Sequence, residues 1–505
     1  MNIINPSRPA RLWPNKKSQY SSSGVRLTLI ALLISFLLFF YYSCSPGFIF
    51  PIASNTSTSH SPRCTSQSLT LGEKFLWYAP HSGFSNQLSE FKNAILMAGI
   101  LNRTLIVPPV LDHHAVALGS CPKFRVLGPN EIRISVWNHV VELIQGGRYV
   151  SIAEIMDISS LVSSSLVRVI DLRDFVSLWC GVNIDFACFI QPKTQSPFID
   201  SLKQCGSLLS GFNGNVGNCL YAVEEDCRTT VWTYQNGDKD GIWDSFQPDK
   251  QLKKKKKISY VRRHRDVYKT LGPDSEAESA SLLAFGSLFT SPYKGSELYI
   301  DIHEAPGDQR LQSLIEMIKL IPFAMEITSA AKKYSHATIK DPFLCAQLRL
   351  LDGQFKNHWK TTFLGLKQKL ASLKQKWTLP IHIFLMTDLP EGNWTSTYLG
   401  DLASNSHHYK LHFLREKDEL VREVAKKLMA KGRGLRSEFV PSTHDNIGEK
   451  QCPFQRSPDV LLYLEETICS CASLGFVGTA GSTIAESIEL MRNSGFCLGQ
   501  SLTAL

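Results

Sequence analysis

An arginine closing an apolar run, a Ser-Thr pair opening a helix and an asparagine in a glycine-containing turn are the residues of this 505-residue chain best suited to handling an anion. Arg349 follows FLCAQL, which places it at the carboxyl edge of an expected strand, where open α/β sheets bind ligands. Its planar fork matches paired phosphate oxygens, although a strand-end arginine serves equally as a surface salt bridge. FVGTAGSTIAESIELMR, Phe476 to Arg492, reads as strand, turn and helix. There Ser482 and Thr483 can offer hydroxyls and helix N-terminal amides to phosphate, or simply cap the helix. Asp388 ends the apolar run FLMTDLP and Asp459 precedes a helix from Val460; either residue also suits a plain cap. The chemistry such groups support is the binding of a phosphate-bearing ligand and the stabilisation of negative charge that develops on it.

The asparagine, Asn86, lies in the stretch His81 to Pro109, HSGFSNQLSEFKNAILMAGILNRTLIVPP. Phe75 to Ala79 precedes it as a short buried strand. From Gln87 apolar residues recur at Leu88, Phe91, Ile95, Ala98 and Leu101, a spacing that predicts a helix with one apolar face. Asn102 stops that helix, and Leu105 to Val107 forms a second buried strand closed by Pro108 and Pro109. Together these make one βαβ unit, with Ser85 the expected N-cap of its helix.

G-F-S-N-Q, followed by L-N-R-T-L-I-V-P-P and by LDHHAVALGSCPKFRV from Leu111 to Val126, resembles the first motif of plant protein O-fucosyltransferases. The stretches around Arg349 and from Phe476 to Arg492 resemble later motifs, so the likeness covers residues 72 to 495. It implies an inverting, metal-independent enzyme with two facing Rossmann-like domains (GT-B architecture). Such an enzyme moves fucose from GDP-fucose to a hydroxyl of a protein or glycan acceptor, without a cofactor. By the same resemblance Arg349 grips the diphosphate and Asn86 steadies the sugar, and both are catalytic. Gly83, Phe84, Gln347, Asp388, Asp459, Ser482 and Thr483 bind substrate, Asp459 at the nucleotide base. Gln347 stands where the family usually has histidine; it hydrogen-bonds but carries no charge. Two rivals therefore stay open: a cell-wall relative using another deoxysugar donor such as UDP-rhamnose, and a catalytically silent lumenal binding protein. No carboxylate is an obvious base. His81, Glu90, Asp112, His113 and His114 are close in sequence, yet each alone reads more simply as structural. The resemblance implies instead a loose, oxocarbenium-like transition state whose departing diphosphate takes the acceptor proton.

Composition sets the compartment. The 43% hydrophobic content over this length suffices for two cores. Arg8, Arg11, Lys16, Lys17 and Arg26 make residues 1–26 basic with no acid, and LTLIALLISFLLFFYYSC follows uncharged from Leu27 to Cys44. Eighteen helical residues span about 27 Å, enough for an early secretory membrane. A cleaved signal peptide is the alternative. The long basic leader and the lack of a clean small-x-small site favour an uncleaved type II anchor of a Golgi or ER membrane, with the body lumenal. Residues 45–70, rich in Ser, Thr and Pro, read as a stem. Twelve of the thirteen cysteines lie beyond the anchor, so disulfides are expected, with Cys469 and Cys471 finding separate partners. Asn55, Asn102 and Asn393 are N-glycosylation sequons.

Asp238-Lys239-Asp240 lies in a polar turn without flanking strands, so no metal site is assigned. Lys250 to Arg265 holds nine basic residues and no acid, the pattern of a solvated insert; nucleic acid is no partner for a lumenal chain. Val167 to Leu172 reads as a strand, Cys180 to Thr230 as loop-heavy, and Leu282 to Phe289 with Leu298 to Ile302 as a last strand region of the first domain. Arg310 to Tyr334 is an amphipathic helix that Pro322 should split. From Pro342 strands and helices alternate. The expected division is a first Rossmann-like domain over 71–320 on the acceptor side and a nucleotide-sugar domain over 321–505.

Overall fold

The computed structural model describes residues 72–111, 128–184, 195–211, 218–226, 231–235, 262–263, 267–268, 271–288, 300–301, 308–351, 359–431, 435 and 457–497. The expected tail, anchor and stem, Asn55, the 238–240 turn, Asp112, His113, His114 and most of the basic insert lie outside them.

Short runs that are apolar on both faces fold as parallel strands covered on both sides. β1 (Phe75–Trp77), β2 (Thr104–Val107), β3 (Val169–Asp171), β4 (Cys219–Asp226), β5 (Val231–Gln235) and β7 (Leu282–Ala284) form a sheet ordered β3-β2-β1-β7-β4-β5. Its strands run parallel except β5, which is antiparallel to β4. β9 (Phe343–Leu348), β10 (Ile381–Thr387), β11 (Tyr409–His412) and β12 (Gly475–Gly478) form a second, all-parallel sheet ordered β11-β10-β9-β12. Between β5 and β9 in the chain, β6 (Arg262–Arg263) pairs with β8 (Ile300–Asp301). The expected last strand region thus divides: Leu282–Ala284 joins the first sheet, and Ile300–Asp301 pairs in its own ribbon.

Helix α1 spans Phe84–Leu101, three residues earlier than the apolar spacing alone indicates, and Gly83 is its N-cap with no side-chain capping bond. Ser85 is inside the helix, so its expected capping role is corrected. The turn is already made upstream, where Ser82 takes a left-handed φ of 63° and the backbone N–H of Asn86 and of Gln87 donates to Gly83 O. Asn102 ends the helix in the left-handed conformation, as its position suggested. The Cys180–Thr230 stretch is less irregular than expected: α2 (Pro129–Gln145) packs against α4 (Gln195–Ser210), and α3 (Leu172–Cys180) is tied to α4 by a Cys180–Cys205 disulfide. Gly206 permits the α2–α4 approach, since a Cβ there would stand 2.1 Å from the Trp137 ring.

The amphipathic segment divides around Pro322 into α5 (Gln309–Lys319) and α6 (Met325–Lys333). α5 lies on α1, where a Cβ on Gly99 would meet Leu314 at 2.5 Å. The second half adds α7 (Trp359–Lys374), α8 (Glu419–Lys431), α9 (Leu461–Ser470) and α10 (Thr483–Asn493). One apolar cluster runs through both halves, from Phe84, Phe91 and Leu314 to Phe323, Tyr463, Leu464 and Ile488. Cys345–Cys469 staples β9 to α9, and Cys471–Cys497 staples the end of α9 to the residues after α10. The neighbouring thiols at 469 and 471 do take separate partners.

Candidate active site

The carboxyl edge of the second sheet is assembled around Thr479, the residue after β12. Its backbone N–H donates to Gln347 O at 3.0 Å and to Gln347 Oε1 at 3.1 Å. Its hydroxyl donates to Gln347 O at 3.2 Å and accepts the Arg349 N–H at 2.9 Å. Ser482 N–H in turn donates to Thr479 O at 3.1 Å. The end of β9, the end of β12 and the start of α10 are therefore held by a single buried threonine. On the other flank Asp388, just past β10, accepts the Leu350 N–H at 2.7 Å and the Leu351 N–H at 3.1 Å. The backbone of residues 349–351 is thus held from both neighbouring strands, Arg349 by Thr479 and the next two residues by Asp388. Arg349 is half-buried; burial draws its pKa down from 12.5 and the Asp388 charge opposes that, leaving a cation at any physiological pH.

Helix α10 opens toward the same edge. Ser482 is its N-cap, yet the hydroxyl makes no capping bond; it is 1% exposed and has no hydrogen-bond partner among the described residues. Buried hydroxyls are normally satisfied, so an unpartnered one beside free helix N–H groups fits a bound anion. Gly478 allows α10 this close, because a Cβ there would stand 2.7 Å from Ala485 Cβ. Gly481 supplies the left-handed turn at φ 74°.

Of the residues the sequence proposed, Arg349, Gln347, Asp388, Ser482 and Thr483 therefore share one sheet edge. Two of them also hold the backbone, as the capping alternative for Asp388 allowed. Gln347 is buried, and its side-chain oxygen is committed to Thr479. Asp388 spends its two oxygens on the loop that carries Arg349. Asp459 accepts the Leu461 N–H at 3.1 Å and so fixes the start of α9.

The remaining candidates sit on the N-terminal turn of α1. Phe84 is 2% exposed, its ring 4.5 Å from that of Tyr463 and 6.2 Å from that of Phe323, so it belongs to the apolar seam. Asn86 is half-buried on the same turn. Gln87 holds that turn in place, donating to Ser82 O at 2.7 Å and accepting the Leu111 N–H at 3.0 Å. Ser85, beside Asn86, abuts the Glu466 carboxyl of α9, which also lies by Ser487 of α10. Burial pushes Glu466 up to about 8, so it is a neutral acid at pH 7. The turn bearing Asn86 and the loop bearing Arg349 consequently both bear on α10. Among the described residues, no three His, Cys, Asp or Glu side chains cluster in a metal-binding arrangement. Asn102 and Asn393 are exposed, as glycan attachment requires.

No family model matches this chain. O-fucosyltransferase 30 of Arabidopsis thaliana is 60% identical to it over 505 residues, 98% of this chain and 99% of that one. The chain belongs to the O-fucosyltransferase family. It is accordingly a glycosyltransferase. Solved structures of POFUT1 align over 84% of this chain: the complex with GDP-fucose at 12% identity, TM-score 0.38 and 95% of its own length, and a complex with GDP at 13%, 0.38 and 96%.

For this O-fucosyltransferase family member, sequence reasoning passed over Thr479 and Glu466. Thr479 was visible as a third hydroxyl residue in VGTAGST. Glu466 was signalled by an acid on the apolar side of LLYLEETICS, between Tyr463 and Ile468.

Proposed function

We propose that this glycosyltransferase moves fucose from GDP-fucose to a hydroxyl of a protein or glycan acceptor, inverting the anomeric carbon and needing no metal. The observation that carries the reading is the Thr479 joint, which brings a cationic Arg349 and the N-terminus of α10, with its unpartnered Ser482 hydroxyl, to one sheet edge. Two negative phosphates suit that arrangement: a guanidinium fork and oriented N–H groups stabilise the charge that grows as the diphosphate leaves. Thr483 adds a hydroxyl in the first helical turn. Loss of the diphosphate leaves an oxocarbenium-like sugar, which Asn86 steadies from the other half and which the acceptor oxygen attacks on the opposite face.

The two sheets are read as the two domains of a GT-B enzyme, over 71–320 and 321–505. Residues 27–44 are read as a type II anchor in a Golgi or ER membrane. The three disulfides among the described residues support an oxidising lumen. Gln347 keeps a second donor in play, because a buried neutral amide fixed to Thr479 gives no charge-based preference for GDP-fucose over UDP-rhamnose.

The test is nucleotide release by the full chain, purified in detergent, from each donor separately. GDP release from GDP-fucose, abolished by Arg349→Ala with the melting temperature unchanged, is the expected result. Full turnover in Arg349→Ala removes that residue from the mechanism. Release from UDP-rhamnose alone favours the cell-wall relative, and binding without release favours a silent protein.

A further inference from the structure

The loop between β1 and α1 contains a buried chain of acid, imidazole and hydroxyl. His81 is 1% exposed and Glu90 is wholly buried one helical turn beyond Asn86. His81 Nε2 lies 2.8 Å from Glu90 Oε1 and 2.8 Å from Ser287 Oγ. On the opposite side of the ring, His81 Nδ1 lies 2.9 Å from Ser82 Oγ. Ser82 is held in its left-handed conformation directly before Gly83. Ser82 is 8% exposed, and beside it Gly83 is half-buried with nothing within 4 Å of a Cβ placed on it among the described residues, so the turn opens at Gly83. Tyr78, the other titratable group facing Glu90, is kept protonated by burial and by the Glu90 charge.

We propose that Glu90, His81 and Ser82 form a proton relay that deprotonates the acceptor hydroxyl. This rests on the sugar-transfer reading of the site. A negative carboxylate 2.8 Å from Nε2 favours the ring proton on that nitrogen, from which it is donated to Ser287 Oγ, so Nδ1 accepts from the Ser82 hydroxyl. As the acceptor oxygen bonds to the anomeric carbon, the carbon–oxygen bond to the diphosphate breaks and its electron pair leaves with the nucleotide. The acceptor proton passes to Ser82 Oγ while the Ser82 proton passes to His81 Nδ1. The resulting imidazolium faces the Glu90 carboxylate and returns its proton to solvent after the products leave. The acceptor proton then need not go to the departing diphosphate.

The bland account of the cluster is a pin between the β1–α1 loop and the segment after β7, and a pin predicts no pH effect on rate. The experiment measures GDP release from GDP-fucose by the full chain between pH 5 and 9, with water as acceptor, for the unaltered enzyme, Ser82→Gly and His81→Gln. Glycine accepts a positive φ without strain, so Ser82→Gly removes the hydroxyl while leaving the His81–Glu90 pair intact. The expected result is a fall in kcat of about 100-fold in both variants, the usual scale of general-base assistance. KM for GDP-fucose should stay unchanged, and the acid-side fall of the unaltered enzyme should be absent from His81→Gln. Should His81→Gln fail to fold, Ser82→Gly decides on kcat alone. An unaltered rate in Ser82→Gly, with Arg349→Ala inactive, overturns the relay and leaves the donor reading standing. No GDP release by the unaltered enzyme overturns both.

Discussion

Thr479→Val is the most discriminating substitution at the proposed donor site. Valine keeps the volume and β-branching of threonine, and the backbone bonds from residue 479 to Gln347 survive. What disappears is the hydroxyl that accepts the Arg349 N–H at 2.9 Å and donates to Gln347 O at 3.2 Å. Residue 479 is 1% exposed, so no water takes its place. One lost neutral hydrogen bond costs about 1 kcal/mol, and a buried N–H left unpaired costs about 1–3 kcal/mol. The chain avoids the larger penalty by moving the Arg349 backbone, because the Asp388 carboxylate accepts the Leu350 and Leu351 N–H groups while the Arg349 N–H bonds Thr479. A shift of about 1 Å at a group stabilising a transition state costs up to about 100-fold in rate. GDP release from GDP-fucose should therefore lose about 10- to 100-fold in kcat/KM in Thr479→Val. Thr479→Ser, which keeps the hydroxyl, should remain within about threefold, far below the 1.4 kcal/mol that a tenfold change represents. A valine variant that melts lower yet turns over at the full rate would show the joint to be structural only, and the positioning argument for Arg349 would fall.

Asp388→Asn removes one of two N–H acceptors and the charge facing Arg349, so kcat/KM should fall about tenfold at nearly unchanged melting temperature; an unchanged kcat/KM would deny Asp388 any part in holding that loop. Glu466 sets a pH dependence of stability. Burial raises its folded pKa from 4.5 to about 8, so between those values the folded chain holds a proton that the unfolded chain has lost. Stability contributed by this group is fully present below 4.5 and drops as pH rises to about 8, at up to about 1.4 kcal/mol per pH unit. Urea midpoints at pH 5 and pH 8 should differ less in Glu466→Gln than in the unaltered protein, and an equal difference would assign the pH effect elsewhere. Transfer should persist in EDTA; loss of activity restored by manganese would return attention to Asp238 and Asp240.

Much of the second half could be read directly from the chain. FLCAQL, IHIFLMT and the helix from Thr483 are long or periodic enough to declare themselves, and the structure places them at Phe343–Leu348, Ile381–Thr387 and Thr483–Asn493. Pro322 declared a break because it lacks the N–H a helix needs. In the first half β1, β3 and β7 are three residues long, too short for a period to show, and it was their apolar character within Phe75 to Ala79, Val167 to Leu172 and Leu282 to Phe289 that marked them. Between Cys180 and Thr230, cysteine and glycine suggested loops, and the helix Gln195–Ser210 was hidden because its glycine serves close packing against Trp137. The candidate site was legible in residue type and not in division of labour. Sequence identifies Gln347, Asp388 and Asp459 as polar residues at element ends, yet only the fold shows that each spends its acceptors on backbone N–H groups. Thr479 escaped because a hub is defined by partners more than a hundred residues away.

The two halves share an apolar cluster beside which a buried acid lies, and this bears on how the proposed site is organised. Phe84, Phe323 and Tyr463 pack with ring centroids 4.5 to 6.2 Å apart, and the same cluster continues into both sheets. An interface of that kind behaves as core, so the turn carrying Asn86 is fixed relative to α9 and α10 before any donor arrives. Glu466 is a buried acid in that seam and burial keeps it neutral, so on the proposed reading of the site it adds no charge near the donor phosphates. An ionised carboxylate there would repel the donor; a neutral acid beside Ser85 and Ser487 does not. With Arg349 locked by Thr479 and Asp388, the positive and the neutral polar groups are both set in advance. Fixed dipoles and charges of this kind stabilise a transition state without reorganisation at the moment of transfer.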